Sequence, residues 1–190
     1  MFIRSERLFL RPGWPEDWRE IMAQVADEAV VRNLEAVPWP YTTSHAQEFA
    51  ALPQDPRCPH FLVTLPGANG AELIGCTGLK SGEDGVELGY WVGRDHWGRG
   101  YATEAARAVL RLAGTLGHRR IRACNFTDNP ASGRVLRKLG FRPTGSERRT
   151  FSHGRGEFVS AAVMEMDLGA PCDCDDGNDA GVAMMPRRAA

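Results

Sequence analysis

A chain of 190 residues, 43% hydrophobic and 25% charged, can bury the core of one domain and leaves little room for a second. Its net charge of −1 hides an uneven spread: −6 over residues 1–93 (7 Lys/Arg, 13 Asp/Glu), +8 over 94–142 (11 against 3) and −3 over 143–190 (5 against 8). No apolar run is long enough for a membrane span, and MFIRSERLFLRPG breaks its apolar residues with arginines where a signal peptide would not, so a soluble, cytoplasmic protein without a membrane partner is predicted.

In chain order, residues 2–11 alternate at Leu8 and Leu10 and predict a strand. Pro15, Glu16 and Asp17 open a helix carrying Trp18, Ile21, Met22 and Val25 on one face. A short helix over 27–35 follows, broken by 37-VPWPYTTS-44, and Ser44 with Gln47 predicts a capping box for another helix to about residue 52. Three strand-like runs, 60–65, 71–79 and 86–92, are joined by PGANG and KSGEDG and read as an antiparallel meander. From Tyr101 the period changes: Ala102, Ala105, Ala106, Val109, Ala113 and Leu116 form a helical face ending near Gly117. Residues 119–125 return to strand. Asn129-Pro130 then starts a helix that Gly140 stops, with Val135, Leu136 and Leu139 facing inward. Residues 142–152 and 156–168 form a closing hairpin, whose exposed sheet edge would suit a homodimer. The order predicts an α/β fold, a mixed and mostly antiparallel sheet of about seven strands flanked by helices, over residues 1–168. A Gly-, Ala- and Asp-rich tail covers 169–190 and is expected to be flexible.

Five cysteines, an odd count, argue against a disulfide framework. Cys172 and Cys174, flanking Asp173, are two thiolates without a second pair or a nearby histidine, so no metal site is expected. The basic middle segment favours a local polyanion site over a nucleic-acid surface, which usually makes a whole domain basic. Solvated arginines on two helices explain the same charge equally well.

The stretch 96-HWGRGYATEA-105 places Gly98 and Gly100 at the start of a helix. A dinucleotide fingerprint would need a third glycine at Thr103, and no Gly-Lys-Ser/Thr is present for a triphosphate loop. Small residues at 98, 100 and 102 still let an anion approach the unpaired N–H groups of a helix start, with Arg99 beside it. A glycine turn whose N–H groups bind water is the plainer alternative.

The run 97-WGRGYA-102 resembles the acetyl-CoA loop of the GNAT superfamily of N-acetyltransferases, and 129-NPASGRVLRKLGF-141 resembles its second motif. Together with 6-ERLFLRP-12 and 38-PWPYT-42, they are similar to the RimJ/RimL branch, which acetylates ribosomal-protein N-termini. The resemblance implies acetyl-CoA as cosubstrate. Its pyrophosphate falls to Trp97, Gly98, Arg99, Gly100, Tyr101, Ala102 and Thr103, and its pantetheine arm to the backbone of Tyr90, Trp91 and Val92. Asn129 would bond near the thioester or act as a helix cap, and Arg134 would reach the 3′-phosphate, with Arg137 beside it. Trp97 stands where the superfamily carries Gln or Arg. Leu136 stands where many members carry a proton-donating tyrosine, which moves that role to Ser132. Glu87, on the strand before the loop, is the expected base, and Glu35, Trp39 and Tyr41 are expected to wall the acceptor amine. A peptide or protein α-amine leads as acceptor. A small amine (polyamine, amino sugar, antibiotic or toxin) and a catalytically silent CoA sensor stay open.

Overall fold

A computed structural model describes residues 1–169 apart from 69 and 83. The expected tail from 170 onward, with Cys172 and Cys174, lies outside the described residues.

The expected first strand is two short ones, β1 (Ile3–Arg4) and β2 (Phe9–Arg11), because Ser5 turns the chain. Its N–H donates to the Leu8 carbonyl at 3.0 Å, and β1 folds back antiparallel on β2. This break accounts for eight strands where about seven were expected. After a 3-10 turn at Pro15–Asp17 come α1 (Trp18–Val25), α2 (Glu28–Val31) and α3 (Thr43–Ala50). The α3 cap differs from expectation. Thr42, in extended backbone, accepts from the His45 N–H at 3.4 Å, and His45 Nδ1 accepts in return from the Thr42 N–H at 3.2 Å. Ser44 is already inside the helix and bonds Glu48 at 3.0 Å, so it cannot cap.

The meander is β3 (His60–Gly67), β4 (Gly70–Gly82) and β5 (Gly85–Val92), followed by α4 (Tyr101–Thr115), β6 (Arg120–Phe126), α5 (Pro130–Leu139), β7 (Arg142–Ser152) and β8 (Glu157–Asp167). The sheet order is β1-β2-β3-β4-β5-β6-β8-β7. Every neighbouring pair is antiparallel except β5–β6, which the α4 crossover makes parallel.

Both faces of the central strands are covered, so β3 buries consecutive residues instead of alternating. Phe61 and Val63 join Leu8, Ile74, Leu88, Val109, Ile121 and Leu136 in one core cluster. Leu62 joins Ile21, Val31, Tyr41 and Leu73 in the other. Alanines at 105, 106, 108 and 113 on α4, all buried, let that helix lie close on the sheet.

Candidate active site

The parallel junction is the feature that makes a site. β5 and β6 register only at Val86↔Ile121 and Glu87↔Arg122. Beyond Glu87, β5 pairs with β4 alone up to Val92, so the strands part and a cleft opens at the C-terminal end of β5. Such crevices at strand ends are where open sheets hold ligands.

On one side of the opening is a cavity of about 330 Å³. Its lining includes Tyr90, Trp91 and Val92 from β5, Trp97, Gly98 and Gly100 from the loop, and Tyr101, Ala102 and Thr103 from the first turn of α4. Gly98 and Gly100 have φ of +75° and +81°, and Gly100 caps α4 in the left-handed conformation that only glycine adopts cheaply. A Cβ at Gly98 would meet nothing within 4 Å, and one at Gly100 only Arg7 Nη2 at 3.6 Å. The space before the loop is therefore open. The first backbone bond of α4 runs from the Glu104 N–H to the Gly100 carbonyl at 3.1 Å, which leaves the N–H groups of Tyr101, Ala102 and Thr103 without helical partners. Bare N–H groups, an open glycine cradle and the positive end of a 15-residue helix fit a pyrophosphate.

Trp97 closes the strand end: its indole N–H donates to the Val92 carbonyl at 2.7 Å. Arg99 is exposed and does not line the cavity. Its carbonyl accepts from Arg7 Nη1 at 3.1 Å. Arg134 does line the cavity, together with Lys138 one turn on.

Asn129 and Ser132 line both this cavity and a second one of about 650 Å³ on the other side of the cleft. Asn129 Oδ1 accepts from the Ser132 N–H at 3.2 Å, a helix cap that fixes the first turn of α5 against the cleft. Ser132 Oγ lies 2.7 Å from the Tyr90 hydroxyl, which also donates to the Ser132 carbonyl at 3.3 Å. Burial pushes the Tyr90 phenol up to about 12, and the Ser132 bond offsets this only in part. The phenol thus stays protonated across the neutral range. Leu136 is fully buried in the core and points away from any such role. The sequence offered Tyr90 only for its backbone; its hydroxyl is the addition made by the fold.

The second cavity contains Glu35, Tyr41 and Glu87 but not Trp39, which is 42% exposed outside both linings. Tyr41 is buried and its phenol is pushed up to about 12, by burial first and the Glu48 charge second. Glu87 is 8% exposed with both oxygens engaged. Oε1 accepts from Arg148 Nη1 at 2.9 Å, and Oε2 faces Lys80 Nζ at 3.2 Å. Arg148 also donates from Nη2 to Glu35 at 3.0 Å, and Thr150 donates to the other Glu35 oxygen at 2.6 Å. Arg148 was not anticipated. The available signal was a polar period of two on β7, Arg148, Thr150 and Ser152, which aims one face of that strand at the cleft.

Among the described residues, no group of three or more His, Cys, Asp or Glu is placed to hold a metal, and no helix is long and apolar enough to cross a membrane.

Comparison with known proteins gives the family. Residues 7–142 match the family described as "Acetyltransferase (GNAT) domain". The uncharacterized N-acetyltransferase YoaA of Bacillus subtilis is 33% identical over 156 residues, covering 77% of this chain and 86% of its own. A GNAT-family acetyltransferase from Bacillus anthracis superposes with a TM-score of 0.75 at 27% identity, over 88% of this chain and 99% of its own. RimL, described as a ribosomal L7/L12 α-N-protein acetyltransferase in complex with coenzyme A, superposes with a TM-score of 0.71 at 17% identity, over 88% and 98%. On its family match, its relatives and its fold, this chain belongs to the GNAT acetyltransferases and is an acetyl-CoA-dependent N-acetyltransferase.

Proposed function

We propose that the protein is of the RimJ/RimL type and acetylates the α-amine of a peptide or protein N-terminus. The observation that carries this reading is the meeting of the two cavities at Tyr90, Asn129 and Ser132. A cofactor entering from the α4 side would present its reactive end there to an acceptor from the other side. Acetyl-CoA supplies an activated acyl carbon and a sulfur leaving group. The acceptor's chain would run along Glu35, Tyr41 and the apolar residues Leu34, Val37 and Phe49.

Glu87 is the proposed base. Its Lys80 partner is 60% exposed, a pairing of the kind that contributes little, and Lys80 Nζ marks where an ammonium sits against Oε2. The acceptor's ammonium would take that place and pass one proton to Glu87; the freed amine would form the C–N bond as the C–S electron pair leaves on sulfur, and the nitrogen's second proton would go to that thiolate. A free α-amine titrates near 8, so deprotonation at neutral pH costs about 1.4 kcal/mol, against roughly 4–5 kcal/mol for a lysine near 10.4. One carboxylate already shared with Arg148 suits the smaller demand. At the sulfur, Ser132 and Tyr90 would act as hydrogen-bond donors. A phenol at about 12 holds its proton more tightly than a thiol, so it steadies a thiolate better than it protonates one.

The test is thiol release from acetyl-CoA over a library of N-terminal peptides, free amino acids, polyamines and amino sugars. Turnover highest on peptides supports the assignment. Turnover confined to small amines overturns it in favour of a small-molecule acetyltransferase.

A further inference from the structure

The N-terminal segment 6-ERLFLRP-12 has no place in the mechanism above, yet it reaches the cofactor loop. Glu104 lies in the first turn of α4, one residue past the bare N–H groups, so its carboxylate puts a negative charge close to the cradle without lining the cavity. That carboxylate is held from the N-terminal side. Ser5 Oγ and the Arg7 N–H each donate to Oε1 at 2.7 Å, and Arg7 Nε donates to Oε2 at 2.7 Å. The same guanidinium donates from Nη1 to the Arg99 carbonyl at 3.1 Å and lies over the Tyr101 ring, 4.6 Å from its centroid. Its Nη2 is 3.6 Å from where a Cβ on Gly100 would stand. One arginine thus neutralises the acid of the helix start, fixes a loop carbonyl and sets its paired guanidinium beside the glycine cradle.

We infer that Arg7 is a positioning residue for acetyl-CoA: by neutralising Glu104 and pinning the Arg99 carbonyl, it keeps the 98–103 loop receptive to the pyrophosphate. A carboxylate near a helix N-terminus normally stabilises the helix and competes with any anion for the same N–H groups. Pairing it with Arg7 removes that competition while keeping the helix start in place. The inference rests on the pyrophosphate lying at this loop, which acetyl-CoA binding to wild type and to Gly100→Glu tests separately.

The experiment measures acetyl-CoA Kd by calorimetry, kcat and KM on an accepted amine, and Tm, for wild type, R7Q, E104Q and R7Q/E104Q. Arg7→Gln is expected to raise Kd and KM for acetyl-CoA about tenfold or more, the size of losing one close opposite charge and leaving a like one, with kcat within about threefold. The double variant should recover most of the lost affinity, since the unpaired carboxylate is gone. Should R7Q not fold, E104Q alone decides. It is expected to bind acetyl-CoA at least as well as wild type despite a lower Tm, because Arg7 then stands unneutralised beside the loop. Wild-type Kd in a folded R7Q, no recovery in the double variant, or a tenfold loss of affinity in E104Q would each overturn the inference and leave Arg7 a purely structural clamp.

Discussion

Replacing Gly100 by glutamate separates strain from charge at the loop. The backbone there has φ of +81°, which costs an L-residue about 1–2 kcal/mol. For a domain of this size that lowers Tm by about 2–8 °C. The strain is present with and without ligand, so it changes stability and leaves Kd nearly untouched. Affinity is lost by other routes. A Cβ would enter space that is open except for Arg7 Nη2 at 3.6 Å, and the carboxylate would stand near the pyrophosphate. At about 5 Å and an effective dielectric near 20, one pair of like charges repels by about 3 kcal/mol, or more than 100-fold in Kd before salt screening. Gly100→Ala carries the same strain without the charge and should lose about tenfold or less. Calorimetry of acetyl-CoA on both variants, with thermal melts to confirm folding, gives the comparison. A Gly100→Glu protein that melts cooperatively and binds acetyl-CoA within threefold of wild type would refute the placement of the pyrophosphate. Equal losses in the two variants would remove charge as the reason.

Tyr90→Phe and Ser132→Ala should each lower kcat about three- to tenfold, the worth of one neutral hydrogen bond, with acetyl-CoA Kd unchanged. Because the two hydroxyls form one chain, the double variant should lose little more than either single one, and multiplicative losses in a double-mutant cycle would separate them. Glu87→Gln should slow turnover most near pH 7 and progressively less as the pH passes the acceptor amine's own value near 8; a wild-type pH profile removes Glu87 as base. Asp17 is held ionised below the usual carboxylate range: burial opposes this, but Arg11 and the Trp14 N–H, each at 2.7 Å, outweigh it. Its contribution is therefore present above about pH 4 and is lost as pH falls through the depressed value. Asp17→Asn should lower stability most at neutral pH, by about 3 kcal/mol for breaking a buried pair, and the gap should close in acid; an equal gap at pH 3 and pH 7 contradicts the ionic account.

How much of this was legible in the sequence depends on how local each feature is. The meander, α4 and α5 were, because hydrophobic period and terminal signals such as Asn129-Pro130 and Gly140 act within a few residues. The glycines at 98 and 100 were legible as bare backbone at a helix start, whereas their left-handed φ became visible only in the fold. The α3 cap was misassigned by two residues because Thr42, Thr43 and Ser44 all carry a suitable hydroxyl, and only the extended backbone at Thr42 selects among them. The Tyr90–Ser132 contact spans 42 positions, and Arg148 meets Glu87 and Glu35 across 61 and 113. No periodicity reaches that far. Those pairings exist because β5 and β6 part and β7 folds back across the cleft.

That same long-range network bears on the acceptor, for which the charge of −6 over residues 1–93 provides only a general attraction for cations. With the lining histidines counted as neutral, the second cavity sets Glu35, Glu48 and Glu87 against Lys80 and Arg148, three carboxylates to two cations. Burial lowers the His60 proton affinity, so that ring adds no charge at neutral pH. The balance is one negative charge, and a single ammonium that takes the place of Lys80 on Glu87 leaves it unchanged. A polyamine would bring several positive charges against that one, and those beyond the second would have to lose water near Arg148 without a partner. A free amino acid would bring its own carboxylate to a cavity already short of free cations. An N-terminal peptide presents one ammonium, keeps its carboxylate far away and offers side chains to the apolar wall of Val37, Phe49 and Leu52. Charge accounting in the cavity, which needs the fold, thus supports the proposed peptide acceptor more specifically than the charge of the sequence segment could.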